Sequence, residues 1–257
     1  MSFKIAYDIV GEGEPIIFTH GIGSRKISWN SVIEILKVKY QCISYDLRGH
    51  GSTLLLDGND FNLDDLVDDL EGLRSHLSLD RVHLVGHSLG GQIAPRYAIK
   101  FPDRVLTLSL LSTVAFRTDD EKQKILDLIE EIRKLGIDKV LPRLITRWFT
   151  DDFIAKNQDV ISKRIDQVKK TDIETFLRVF WIYATCTMEE WLSEIKAPTL
   201  VMTGENDLAC NPDLNKKIAS TLNAKLEILK DLRHTIILES GDLVGTKIKD
   251  FLEQIFK

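Results

Sequence analysis

Cysteine is scarce: Cys42, Cys186 and Cys210 are the only three in 257 residues, far apart and in no CxxC pair. So sparse and odd a number argues against a disulfide framework, offers no metal-ligand spacing and fits a reducing compartment. No apolar run approaches the roughly 20 residues that cross a bilayer. The opening MSFKIAYDIVGEGEP alternates polar and apolar residues, as a strand and turn do and a signal peptide does not. Positive charge is not in excess either. Lys and Arg number 34 against 39 Asp and Glu, for a net charge of -5, and the basic residues are scattered, which argues against a nucleic-acid partner. Repeats and low-complexity tracts are lacking. What remains is an ordinary soluble composition, 44% hydrophobic and long enough for one large domain or one carrying an insertion. The expected address is the cytoplasm and the expected partner a small molecule, with no membrane or nucleic acid; oligomeric state leaves no signal.

Short β-rich runs are present, at 3–9, 16–19, 41–45, 82–85, 105–111, 199–203 and 225–229. Several are continuously apolar, as in strands covered by helices on both faces. They alternate with helical patterns such as Leu63, Leu66, Val67, Leu70, Leu73 and Leu77, whose opposite face carries Asp64, Asp65, Asp68, Asp69 and Glu71. That acidic face reads as solvated. The alternation implies an α/β protein with a largely parallel sheet. It breaks from about residue 116 to 192, where helical patterns follow one another with no strand between them. Thr118 with Glu121, and Thr171 with Glu174, mark capping boxes at two of these helices. The predicted organisation is a core of residues 1–115 and 193–257 with a helical cap, 116–192, inserted between core strands.

Within VHLVGHSLGG, Gly86-His87-Ser88-Leu89-Gly90 fits G-x-S-x-G, a sharp strand-to-helix turn that exposes a serine at the sheet's carboxyl edge. An apolar strand precedes it and a helical pattern follows, which is the setting this motif requires. A serine needs a base. Of six histidines, His87 neighbours Ser88 but should point elsewhere, His83 lies within a strand and His76 near a helix end. His234, on a loop after the 225–229 strand, is the candidate. Glu205 and Asp207, in the turn after the 199–203 strand, are candidates for the acid that orients it. Acyl transfer also needs donors for an oxyanion. The backbone N–H of Leu89 is one; the other is expected from His20-Gly21-Ile22-Gly23, at Ile22, with His20 bracing the loop.

These blocks together resemble the α/β-hydrolase superfamily: HGIG with Trp29 downstream, YDLRGHGST at 45–53, VGHSLGG, PTLVMTGENDLACNP and RHTIILE. The resemblance implies the α/β-hydrolase fold, an eight-stranded, mostly parallel sheet flanked by helices with a helical cap. It favours Asp207 over Glu205, so that Ser88, Asp207 and His234 form the triad. It also makes Asp46, Arg48, Gly49, His50 and Gly51 a structural turn. One departure is Arg233, where such enzymes usually carry a small residue before the histidine. Cap phrases such as LLSTVAFRTDDE and RWFTDDFIAKN are similar to the 3-oxoadipate enol-lactonase and carboxylesterase group.

The expected activity is hydrolysis of a carboxylic ester or lactone through an acyl-enzyme, with no metal and no organic cofactor. Alternatives on the same triad are a carbon–carbon bond hydrolase and a cofactor-free haloperoxidase; a non-catalytic small-molecule receptor is a third. Trp148, Phe149, Phe180, Trp181, Tyr183, Met188 and Trp191 are candidates for an apolar pocket, and Arg143, Arg147 and Arg178 for a substrate carboxylate. Each has an ordinary alternative in packing or solvation.

Overall fold

A computed structural model describes residues 5–55, 58 and 60–255. Its strands are β1 (Tyr7–Val10), β2 (Glu14–Thr19), β3 (Tyr40–Tyr45), β4 (Val82–His87), β5 (Val105–Leu111), β6 (Thr199–Gly204) and β7 (Lys225–Leu229). They form one sheet in the order β1-β3-β2-β4-β5-β6-β7, parallel throughout except where β1 pairs antiparallel with β3. The α/β-hydrolase architecture is as expected, but the described residues hold seven strands and not eight. At the β1 edge, Gly11 and Gly13 take φ of +82° and +121° and turn the chain straight into β2, so a single antiparallel strand opens the sheet. The strand expected at 3–9 begins at Tyr7, with residues 1–4 outside those described.

The helices are α1 (Asn30–Leu36), α2 (Leu63–His76), α3 (Gly90–Lys100), α4 (Asp119–Leu135), α5 (Ile137–Trp148) and α6 (Asp151–Lys156), then α7 (Gln158–Lys169), α8 (Ile173–Thr185), α9 (Met188–Trp191), α10 (Pro212–Leu222), α11 (Ile236–Glu239) and α12 (Gly241–Ile255). Helix α2 shows why the pattern folds as it does. Leu66, Val67, Leu70 and Leu73 are buried, each worth about 2 kcal/mol of apolar transfer. Asn62 caps the first turn by accepting from the N–H groups of Asp64 and Asp65. Thr118 and Glu121 form the capping box of α4 as expected. The second expected box does not form. Asp172 caps α8 by accepting from Thr175 N–H, while Thr171 turns its hydroxyl back to the Gln167 carbonyl.

Helices α4 to α9 occupy the connection between β5 and β6 without an intervening strand. Apolar cores fill both faces of the sheet, one with Ile17, Leu84 and Leu108 and the other with Ile16, Phe18 and Val85. Strand order reverses beside β2 and β4, because β3 lies to one side of them and β5 to β7 to the other. Ligands of open α/β sheets bind in the crevice at the carboxyl ends of strands at such a switch point. No helix among the described residues is long and apolar enough to cross a membrane.

Candidate active site

Four loops meet at that crevice, following β2, β4, β6 and β7. The turn after β4 places Ser88 at φ +56°, a left-handed backbone that a serine adopts only when its surroundings hold it. Ser88 N–H donates to the Leu111 carbonyl at 2.9 Å, and Thr113 Oγ1 donates to the Ser88 carbonyl at 2.9 Å. The flanking glycines are needed for approach. A Cβ at Gly86 would lie 2.1 Å from the Gly90 carbonyl oxygen, and one at Gly90 would lie 2.1 Å from that of Thr19. The strand and helix backbones therefore meet only where both positions lack a side chain.

Ser88 Oγ lies 3.1 Å from His234 Nε2, and His234 Nδ1 lies 2.9 Å from Asp207 Oδ2. The carboxylate can only accept, so it fixes the proton on Nδ1 and leaves Nε2 free to accept from the serine. Asp207 is held by its other oxygen: Oδ1 accepts from the N–H groups of Ala209 and Cys210 at 2.8 Å each. Glu205, the other acid of this turn, is exposed and accepts instead from Asp231 N–H. His234, Asp207 and Ser88 are all buried.

Burial disfavours the charged forms of His234 and Asp207 alike, yet their mutual attraction and hydrogen bond outweigh it. His234 is thereby raised above the usual histidine value, and Asp207 is lowered. The consequence for rate has a definite sign. If Nε2 serves as a base it must be neutral, so kcat/KM should then rise with pH along a limb whose midpoint lies above 6.5. A pH–rate profile on a non-titrating ester checks this, and a midpoint at or below 6.5 contradicts it.

His87 lies nearer this centre than expected. Its ring centroid is 5.1 Å from that of His234, and its Nε2–H donates to the His234 carbonyl at 2.9 Å. Burial, then repulsion from a charged His234, pushes its pKa down to about 3, so it stays neutral. His20 braces its loop as expected: Leu47 N–H donates to its Nε2 at 3.0 Å, and its Nδ1–H donates to the Gly21 carbonyl at 2.8 Å. Asp46 accepts from the N–H groups of Lys26 and Ser52, and His50 Nε2 accepts from Gly23 N–H, as a structural turn would. His83 is likewise remote, with Nδ1 on Thr107 Oγ1.

A cavity of about 460 Å³ opens above Ser88 and His234. Trp148, Phe180 and Tyr183 of the candidate aromatics line it, with Ile125, Leu128 and Leu144. Phe149 and Met188 are fully buried elsewhere, Trp181 is 42% exposed, and Trp191 packs under Arg96. Arg143 and Arg147 reach the cavity, whereas Arg178 lies outside and pairs with Asp60 and the Phe61 carbonyl. Three lining cations had no place in the sequence-based site: Arg117, Lys124 and Arg164. For Arg164 the signal was there, because it shares the buried stripe of α7 with Ile161 and Val168. Arg233, the departure before His234, donates to the carbonyls of Thr146 and Phe149, while its backbone N–H and the N–H and hydroxyl of Thr150 converge on Glu239. It ties the histidine loop to the ends of α5 and α6 and does not line the cavity.

Among the described residues, Asp207, Cys210 and His234 form the single His/Cys/Asp/Glu set with ligand atoms within 4.8 Å of one another. Nδ1 and the carboxylate are already engaged with each other there, and the Cys210 thiol lies 3.1 Å from Tyr183 Oη.

The profile of the alpha/beta hydrolase fold family matches residues 14–241, and the chain belongs to that family. It is a hydrolase whose likeness falls in the enol-lactonase and esterase group. It is 28% identical over 248 residues to an (E)-2-((N-methylformamido)methylene)succinate hydrolase of Acinetobacter baylyi, covering 95% of this chain and 92% of that one. A 3-oxoadipate enol-lactonase of the same organism is 28% identical over 192 residues, 75% of this chain and 71% of its own. The crystal structure of the enol-lactonase from Burkholderia xenovorans LB400 superposes with a TM-score of 0.90 at 25% identity, over 97% of this chain and 96% of the other.

Proposed function

We propose that this chain cleaves a carboxylic ester or lactone through an acyl-enzyme on Ser88. His234 is the base, Asp207 its orienting acid, and the N–H groups of Ile22 and Leu89 are the oxyanion donors. The observation that carries the proposal is the unbroken relay of Ser88, His234 and Asp207, at 3.1 and 2.9 Å, beneath a cavity. Neither the Ile22 nor the Leu89 N–H has a protein acceptor among the described residues, which supports their assignment.

In the acylation step Ser88 Oγ attacks the carbonyl carbon as its proton passes to His234 Nε2. Negative charge on the former carbonyl oxygen is met by the two amides. Collapse expels the leaving oxygen, which takes the proton from His234. Water then gives its proton to His234 and attacks the acyl carbon; the returning proton restores Ser88 as the acid leaves. Asp207 keeps Nδ1 protonated throughout and stabilises the imidazolium. Residues 116–192 serve as a cap that shapes the cavity.

The cavity walls carry Arg117, Lys124, Arg143, Arg147 and Arg164 against Glu121, and of these Arg143 is paired with Glu131, which lies outside the lining. This excess of positive charge supports a substrate that carries a carboxylate of its own. A panel tests the proposal: neutral p-nitrophenyl esters of graded acyl length, a lactone with and without a pendant carboxylate, and a vinylogous diketone. The expected order is carboxylate lactone above neutral lactone and short ester. Turnover of the diketone alone would favour carbon–carbon cleavage, and no turnover with ligand-dependent stabilisation would favour a receptor.

A further inference from the structure

In the turn after β2, three consecutive peptide groups are held at every polar atom but one. The Gly21 carbonyl accepts from Ser24 N–H at 3.1 Å and from His20 Nδ1–H at 2.8 Å. Gly23 N–H donates to His50 Nε2 at 3.1 Å. The carbonyl of Ile22 accepts from Arg164 Nη2 at 2.8 Å, and that of Gly23 from Arg164 Nη1. The atom left over is the N–H of Ile22, which has no protein partner among the described residues. Because each peptide group is planar, fixing groups 21–22 and 22–23 fixes both dihedrals of Ile22 between them, and so the direction of that N–H.

Arg164 is not a core residue that holds this turn, since it comes from α7 in the cap. It is 6% exposed, its guanidinium lies 4.7 Å from the centroid of the Trp148 ring, and no acidic side chain pairs with it among the described residues. Burying a guanidinium without a carboxylate is unfavourable, and two neutral carbonyls offset only part of the cost. Elsewhere its stripe on α7 is apolar, with Ile161 and Val168, so a packing role alone is better met by an apolar side chain of the same length.

We infer that Arg164 is a positioning residue of the oxyanion hole: the cap reaches across and grips the two carbonyls of residues 22 and 23, so that the Ile22 N–H stays aimed at the reacting oxygen. A cap that is not seated leaves this half of the hole undefined. The inference rests on the serine mechanism proposed above. It differs from a role in binding a substrate carboxylate, because its effect falls on turnover of uncharged esters too.

Arg164→Met keeps the length of the side chain and removes its donors; Arg164→Lys keeps one charge and reaches a single carbonyl. Two measurements apply to the full-length protein. Hydrogen exchange at the amides of Gly23 and Ser24 should quicken by about tenfold or more in Arg164→Met, with the thermal midpoint unchanged or higher. On p-nitrophenyl acetate, kcat should fall about 30-fold with KM within about threefold, below the loss for deleting a donor outright. Arg164→Lys should lie between wild type and Arg164→Met in both. Unchanged loop exchange, or an unchanged kcat on the neutral ester with only KM for carboxylate substrates raised, would overturn the inference. Ser88→Ala is run alongside: if it retains turnover, the serine mechanism fails instead, and loop exchange alone then decides whether Arg164 holds the turn.

Discussion

Replacing Ser88 with alanine should lower kcat on a short chromogenic ester by about 10⁵-fold or more, to the level left by binding and the oxyanion donors alone. The side chain is 6% exposed and its hydroxyl contacts His234 at the cavity floor, so loss of one oxygen leaves the pocket's shape intact. KM should therefore change by less than about threefold, because ground-state contacts remain. The fold should be unharmed, since alanine keeps the same Cβ in the left-handed turn and adds no new steric demand. Steady-state kinetics and a thermal melt check both halves. A kcat within tenfold of wild type would remove Ser88 from the mechanism.

Asp207→Asn should cost about 10⁴-fold in kcat, although it changes only one atom. Asp207 Oδ1 accepts from the N–H groups of Ala209 and Cys210, so the asparagine carbonyl oxygen will be drawn to that side. Its NH₂ then faces His234 Nδ1, which must accept where it formerly donated. The proton moves to Nε2, and Ser88 loses its acceptor. The imidazolium formed during attack also loses its counter-charge. A loss of 10⁴ corresponds to about 5.5 kcal/mol of transition-state stabilisation, more than packing changes in so isosteric a replacement supply. Kinetics at saturating ester measure it, with the melt showing whether the fold survives. A decline below about tenfold would mean that His234 holds its tautomer without Asp207.

Much of this was legible before any coordinates. The strand read at 105–111 appears with those limits because a buried parallel strand advertises itself by its apolar composition. The strand at 225–229 also keeps its limits, although it is an edge strand in which Lys and Glu alternate with apolar residues and only Leu229 is buried. Ser88, Asp207 and His234 meet because each sits just past the carboxyl end of a parallel strand, and such ends share one edge of the sheet. Other features depend on partners distant in sequence. Whether Trp148 or Trp191 faces the cavity turns on how α5 rolls against α4 and α7 and how α9 rolls against α3, and both positions look alike in the chain. His87 was expected to point away, yet its ring packs beside His234, because the loop after β7 folds back over it. The cap of α8 went to Asp172 and not Thr171, because the helix begins one residue later than the Thr171–Glu174 pattern implies; the N–H to be capped is that of Thr175, and Thr171 found the Gln167 carbonyl. Arg233, the departure before His234, donates its guanidinium to carbonyls at the end of α5, a partnership that local sequence does not reveal.

Everything proposed here depends on a covalent bond between Ser88 Oγ and the acyl group of the substrate. Rapid mixing with a slowly hydrolysed p-nitrophenyl ester, acid quench and peptide mass spectrometry would detect it. The predicted result is a burst of about one p-nitrophenol per chain, with the acyl mass carried by the peptide containing Ser88. Steady ester turnover with no burst and no added mass on that peptide, under conditions where deacylation is slow, would contradict it.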